Sequence, residues 1–553
     1  MKKLVWGLAL TLLVLTAGFF AAGGKQGVIL LFVKLVMHTE AAPNQPVTWQ
    51  QAPAPAPAAG SDKRPPNILL IVADDLGYND ISLNGGGVAG DAVPTPNINS
   101  IAQNGINFSG GYAGNATCSP SRAAMLTGRY PTRFGFEFTS VPMTFSKVIV
   151  GAKSKGLHPA IYHGEREAAM PSFESQGVPT SEISMARLLK QADYHTIHLG
   201  KWHMGENASM GPNAHGFDET LGFLQGGMMF LEADDPDVVN AQQDFDPIDS
   251  FLWAAAPFGV SYNNSKPFKP ASYVTDYFTD EALQAIKANK DRPFFMYLAY
   301  NAPHTPLQAT REDYDALPQI KDHTRRVYAA MIRNLDRNIG RVLNELKAQG
   351  LEDNTLVIFT SDNGGANYIG LDDLNKPYRG WKATFFEGGT RVPFFMQWPG
   401  VIPAGSTFSE PVSHFDLFAT AAGVAGVPVP TDRVIDGVDL LPYALGTRQG
   451  RPHEDLFWRS GVYQGVRSGD WKLQVNPTRG KVWLYDLAAD PTEQHDLAAA
   501  QPERVKQLQA KLAAFNSEQA ESLWPSLLEA PILIDKPLNR PQTADDEFIY
   551  WSN

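Results

Sequence analysis

Asn67-Ile68-Leu69-Leu70-Ile71-Val72-Ala73-Asp74-Asp75 holds five successive aliphatic side chains and ends on two carboxylates. The run has no polar alternation, so it predicts a short strand buried on both faces. The same pattern recurs three times. Thr196-Ile197-His198-Leu199 leads into Gly200-Lys201-Trp202-His203. Phe294-Phe295-Met296-Tyr297-Leu298 leads into Asn301-Ala302-Pro303-His304, and Leu356-Val357-Ile358-Phe359 into Ser361-Asp362-Asn363-Gly364. Helical patterns lie between the runs. From Arg325 to Gln349, the residues Val327, Met331, Leu335, Ile339, Val342 and Leu346 share one face, and Gly350 is a natural stop. Strands alternating with helices predict an α/β fold, with a large, mostly parallel sheet sandwiched by helices.

In open α/β sheets, ligands bind beyond the carboxyl ends of the strands. Four parallel strands would bring the four polar clusters to one edge. Taken singly, each cluster has an ordinary reading. Paired aspartates after a strand cap helices or make turns, and Asp-Asn-Gly is a common turn. Their shared position favours one site. Asp74, Asp75, Asp362 and Asn363 offer hard oxygen ligands, which suit Ca²⁺ or Mg²⁺ rather than zinc or copper. Three carboxylates brought together without a cation would repel one another, and a divalent ion resolves that.

The flanks differ in texture. Lys2 and Lys3 precede an uncharged, mainly apolar run from Leu4 to Gly24, a pattern that marks export. The run approaches the roughly 20 residues that cross a bilayer. A second apolar stretch, Val28 to Met37, is broken by Lys34. Residues 1–40 therefore read as a cleaved signal peptide or an N-terminal membrane anchor, with a bacterial periplasmic or cell-surface location. Residues 41–65 are rich in Pro and Ala and read as an extended tether. The catalytic domain is expected over 66–445. A C-terminal α+β subdomain is expected over 446–553, with short strands around Gly465–Arg467, Trp471–Val475 and Val482–Tyr485 and a helix over Glu503–Phe515. The net charge of −12 over 553 residues argues against nucleic acid as the partner.

The single cysteine excludes an internal disulfide framework. It opens Cys118-Ser119-Pro120-Ser121-Arg122, followed by Ala123-Ala124-Met125-Leu126-Thr127-Gly128-Arg129. Pro120 fits the first turn of a helix. Residue 118 would then sit at a helix N-terminus, where backbone N–H groups favour an anion. This string resembles the signature of the type I sulfatases of the alkaline phosphatase superfamily, Cys-x-Pro-Ser-Arg, three residues, then Leu-Thr-Gly-Arg. The resemblance extends from about Pro66 to the C-terminus. It takes in Asp74-Asp75, Gly200 to His203, Ala302 to His304, Asp362 to Gly364, and Tyr378-Arg379-Gly380-Trp381-Lys382 through Pro393. Trp381 and Ala383-Thr384-Phe385-Phe386 depart from the residues frequent there, which bears on the pocket wall and removes no chemical group.

The resemblance implies an alkaline-phosphatase-like fold and hydrolysis of sulfate esters, aryl or carbohydrate. It implies that a maturation enzyme oxidises Cys118 to formylglycine. It further implies one Ca²⁺ per chain, bound by Asp74, Asp75, Asp362, Asn363 and the modified residue 118. In that scheme Lys201 and Lys382 grip the sulfate oxygens and Arg122 holds the formylglycine hydroxylate. His304, helped by Lys382, protonates the leaving oxygen. A sulfated-enzyme intermediate forms, and His203 assists its release. Two rival readings stand beside it: a phosphonate or phosphate ester hydrolase with the same scaffold and nucleophile, and a catalytically silent protein that binds sulfated glycans, which would be expected to have lost some of the catalytic groups present here. The stretches Phe134–Ser181 and Gly226–Lys269 are expected to form loops over the pocket.

Overall fold

The computed structural model describes residues 24–37, 41–52, 64–154 and 156–553. The main sheet contains β1 (Asn67–Ala73), β2 (Ile106–Phe108), β3 (His195–Lys201), β4 (Glu219–Phe223) and β5 (Ser261–Tyr262). It continues with β6 (Phe294–Ala299), β7 (Thr355–Ser361), β8 (Phe394–Gln397) and β9 (Ser406–Phe408), in the spatial order β9-β2-β8-β7-β1-β6-β3-β4-β5. The centre, β7-β1-β6-β3-β4, is parallel, as unbroken apolar runs require. Antiparallel pairings flank it: β8 joins β7 and β2, and β5 joins β4. The sheet is mixed towards both edges.

Register delivers the polar clusters together. Asn67 pairs with Thr355 and Ala73 with Ser361, so Asp74 and Asp362 leave the sheet side by side. On the other side of β1, Ile68 pairs with Phe295 and Val72 with Ala299. Gly200, the penultimate residue of β3, pairs with Ala299, and only a glycine fits there. A Cβ on it would lie 1.9 Å from the Ala299 carbonyl oxygen, and its φ is +102°.

Among the described residues, the helices of nine residues or more are α1 (Gly24–Met37), α2 (Cys118–Thr127), α3 (Met143–Lys153), α4 (Pro247–Ala255), α5 (Val274–Asn289), α6 (His323–Ala348), α7 (Asp416–Ala425) and α8 (Pro502–Ser517). Alternate residues of β1 feed two separate cores, as strand geometry demands. Leu69 and Ile71 pack with Phe278 of α5 and with Val327, Met331 and Leu335 of α6. Ile68, Leu70 and Val72 pack on the opposite face with Met125 of α2 and Leu417 of α7. The predicted long helix is α6, its N-terminus capped by Asp322, whose side chain accepts from the Arg325 amide.

The C-terminal region carries an antiparallel sheet of β10 (Asp455–Ser460), β11 (Tyr463–Ser468), β12 (Trp471–Asn476) and β13 (Lys481–Asp486). Leu508 and Leu512 of α8 pack against Val466, Leu473 and Leu484 of this sheet. A second sheet pairs β14 (Leu528–Leu533) with β15 (Phe548–Ser552) and with Ile161–Tyr162 from the expected pocket loop.

One expectation for the N-terminal flank needs correction. Residues 41–52, expected as the start of a tether, lie against the body. Trp49 is 4 % exposed and donates from Nε1 to Glu281 Oε2 at 2.8 Å, and the Gln50 amide donates to Glu219 Oε1 at 2.9 Å. One buried indole anchors a segment whose average composition reads as extended. The Ala-Pro repeat from 53 onward lies outside the described residues, as does nearly all of the Leu4–Gly24 run. Within the second apolar stretch, α1 packs on α3 and α4, with Val33 seated among Val148, Ile149 and Phe251. Val28, Leu31 and Leu35 face outward. Among the described residues, no helix is long and apolar enough to cross a membrane.

Candidate active site

Helix α2 places Cys118. Thr117 precedes it in extended conformation, Pro120 occupies the first turn, and Gly128 closes the helix at φ +70°, donating its amide to the Ala124 carbonyl. The Cys118 sulfur lies 3.8 Å from Asp75 Oδ1 and is buried. Burial raises the thiol to about 12, despite the nearby ammonium groups of Lys201 and Lys382. An unmodified thiol here is therefore a poor nucleophile near neutral pH.

Each strand end contributes to one buried cluster. Lys201 Nζ donates to Asp74 Oδ2 at 2.6 Å, and both side chains are fully buried. Arg122 grips Asp362 Oδ2 from Nε at 2.9 Å and from Nη2 at 2.8 Å, and reaches Asp74 Oδ1 at 3.6 Å. Asp75, held at φ +60°, accepts from Asn363 Nδ2 at 2.8 Å, from Tyr368 Oη at 2.6 Å and from Lys382 Nζ at 2.8 Å. Its amide donates to Asp362 Oδ1 at 3.2 Å. Burial opposes ionisation of Asp75, but Lys382, His304 and Lys201 outweigh it and hold that carboxyl well below its ordinary range. Asp362 goes the other way: burial, abetted by Asp74, raises it despite Arg122.

Two oxygens of this cluster lack a hydrogen-bond donor among the described residues. Asp74 Oδ1 and Asn363 Oδ1 are buried, and neither accepts a hydrogen bond from any described residue. Such atoms are costly unless something else satisfies them. Ligand atoms of Asp74, Asp75, Cys118 and His304 lie within 4.8 Å of one another. Asp362 stands beside this group, with one oxygen taken by Arg122 and the other by the Asp75 amide. The donor set is rich in oxygen and fits a hard divalent cation.

Both predicted histidines reach the cluster. His304 Nδ1 lies 2.5 Å from the Thr305 carbonyl, which can only accept, so Nδ1 carries the proton. Nε2 is then the acceptor, 3.4 Å from Lys382 Nζ and 3.7 Å from Asp75 Oδ2. Burial lowers His304 to about 3, in spite of Asp75. His203, at φ +56°, is held well below its ordinary value by burial and then by Lys201. Its Nε2 lies 3.4 Å from the Ser140 carbonyl. Both rings are neutral at pH 7. Burial also opposes the charge on Lys382, but Asp75 dominates and raises it well above an ordinary lysine.

The structure thus gathers Asp74, Asp75, Cys118, Arg122, Lys201, His203, His304, Asp362, Asn363 and Lys382 at one sheet edge. Arg122 braces Asp362 and Asp74, with Nη1 on Tyr297 Oη at 3.2 Å. Tyr297 and Tyr368 were not legible as site residues. Tyr297 sits inside an apolar strand run, where an aromatic reads as core. Tyr368 lies in a single 3-10 turn, Asn367–Ile369, too short to show periodicity, and its hydroxyl links Asp75 to Lys382, 3.0 Å away. The cavity outside Cys118 is lined from both expected loops, by Val141 and Phe145 on one side and by Gly227 and Leu252 on the other.

The family profile described as Sulfatase matches residues 66–427, and one described as N-sulphoglucosamine sulphohydrolase, C-terminal, matches 379–518. The chain is 34 % identical over 423 residues to the N-acetylgalactosamine-6-sulfatase of Mus musculus, covering 76 % of this chain and 73 % of that one. It is 33 % identical over 486 residues to the steryl-sulfatase of Rattus norvegicus, covering 77 % and 78 %. Among solved structures, it superposes on Ps i-CgsB in complex with k-i-k-neocarrahexaose with a TM-score of 0.68 and 33 % identity, covering 83 % of this chain and 95 % of that one.

Proposed function

Because the chain belongs to the sulfatase family and hydrolyses sulfate esters, we propose that it does so through a formylglycine made from Cys118, with one Ca²⁺ held by Asp74, Asp75, Asp362, Asn363 and the modified residue. The observation that carries this reading is the pair of buried, donorless oxygens on Asp74 and Asn363 beside the Cys118 side chain. When bound, the ion supplies charge to a sulfate oxygen, and the hydrated aldehyde supplies an attacking hydroxyl and a second one for release. The chain's own residues do the rest. Lys201 and Lys382 present positive charge where a tetrahedral anion meets the N-terminus of α2. Arg122 fixes Asp362 and Asp74. His304, its Nδ1 proton committed to Thr305, offers Nε2 to Lys382, so the leaving oxygen takes its proton from this pair. His203 Nδ1 has no partner among the described residues and is neutral, which suits a proton acceptor during release.

Replacement of Asn363 by Ala is expected to weaken calcium binding by at least about tenfold, or ~1.4 kcal/mol, with a parallel loss of activity. Elemental analysis and calcium titration check this; unchanged affinity removes Asn363 from the ligand set. Rates on 4-nitrophenyl sulfate and 4-nitrophenyl phosphate separate this reading from the phosphate-ester rival, and faster phosphate hydrolysis would reverse it.

The names of the relatives span an amino-sugar sulfate and steryl sulfates, so membership leaves the leaving alcohol open. An exported, periplasmic or cell-surface location is our reading of Lys2, Lys3 and the apolar run after them.

A further inference from the structure

The cavity outside Cys118 is walled mainly by hydrocarbon. Phe145 of α3 meets Phe251 of α4 edge-on, with ring centroids 5.4 Å apart, and Ile149, Leu252, Ile532 and Trp551 complete the wall. About 170 Å³ of space lies inside, enough for a single benzene-sized ring. Beyond the catalytic cluster, Lys153 is the one cation among the described residues of this wall, and it faces an anion, Asp246. The Asp246 oxygens are already used, accepting from the amides of Ile248 at 3.0 Å and Asp249 at 2.9 Å to cap α4. A sulfated polysaccharide needs several cations and many hydrogen-bonding groups, and this wall offers few, Thr139, Ser140, Gln225 and Asn367 among them. Hydroxyls pressed against it would lose water without gaining partners.

Resting on the sulfatase reading above, we infer that the enzyme's substrates are sulfate esters of apolar, ring-sized alcohols or phenols, and that sulfated sugars are disfavoured. Helices α3 and α4 grip the hydrocarbon while the cluster around Cys118 takes the sulfate.

The test compares two primary sulfates with the same reacting centre, cyclohexylmethyl sulfate and galactose 6-sulfate, on enzyme whose residue 118 is verified by mass as formylglycine. The cyclohexyl ester is expected to show a kcat/KM at least about 100-fold higher, since each unpaired hydroxyl is penalised in an apolar pocket. It should also be the stronger competitive inhibitor of 4-nitrophenyl sulfate hydrolysis. Leu252→Asn, at a half-buried position, is expected to shrink that ratio about tenfold through KM. Equal or better use of the sugar ester, or a ratio that Leu252→Asn leaves unmoved, overturns the inference and leaves the sulfatase reading intact. Failure of matured enzyme to hydrolyse all three sulfates overturns both.

Discussion

Cys118→Ser is expected to fold normally and to lose turnover by a factor on the order of 10⁴ to 10⁶, as when a covalent nucleophile is removed from a preorganised site. The substitution changes one buried atom, and a serine hydroxyl can donate to Asp75 Oδ1, which lies 3.8 Å from the present sulfur. Stability should therefore move by less than about 1 kcal/mol. The loss arises because serine offers one hydroxyl: if it accepted sulfate, no second hydroxyl on the same carbon could expel it. Multiple-turnover hydrolysis of 4-nitrophenyl sulfate, with urea unfolding as the structural control, checks both halves. Sustained turnover by the serine variant would refute the formylglycine scheme.

The second large effect is on stability. Lys472 of β12 is fully buried between two carboxylates, with Nζ 2.7 Å from Glu387 Oε1 and 3.2 Å from Glu493 Oε1. Burial pushes both acids up. Lys472, with Arg391 and Arg467, outweighs that for Glu387 and holds it at about 2, whereas Glu493 is raised to about 7. Glu387 also accepts from Tyr112 Oη at 2.7 Å and pairs with Arg391 at 3.1 Å. Lys472→Met would leave these acids without their shared ammonium, so it is expected to cost ~3–5 kcal/mol. The effect should reach the active site. Glu387 is followed by Gly388, whose carbonyl packs so closely on Gly364 that a Cβ there would lie 1.9 Å away. Chemical denaturation gives the stability change; a shift under ~0.5 kcal/mol would show that the C-terminal sheet is not fastened through this lysine.

The central sheet was legible because a strand covered on both faces must be apolar throughout. Ile68 to Val72 and Leu356 to Phe359 announce themselves, and the polar residues after them announce its edge. Strand β10 was missed: Asp455–Ser460 is buried only at alternate positions, so its apolar residues are diluted by Arg459 and Asp455. The antiparallel insertion of β8 between β7 and β2 was also hidden, since Phe394–Gln397 reads the same in either direction. At the site, charged and metal-competent residues stood out by type. Their division of labour did not, because Arg122 chooses Asp362 over other anions by three-dimensional distance alone. Tyr368 and Trp49 belong to irregular segments, where burial is decided by distant parts of the chain. The alcohol carried by the sulfate was left open between aryl and carbohydrate, because the motifs lie around the sulfate and say nothing of the hydrocarbon wall.

Helix α1 rests on the two helices that form that wall. A shortened polypeptide begun at residue 41 would strip Val33 from its seat and turn parts of Val148, Ile149 and Phe251 towards water. Such a preparation would be stickier in concentrated solution and slacker around its ligand. Its measured selectivity would then differ from that of the longer form, so both the truncated and the longer forms belong in any purification.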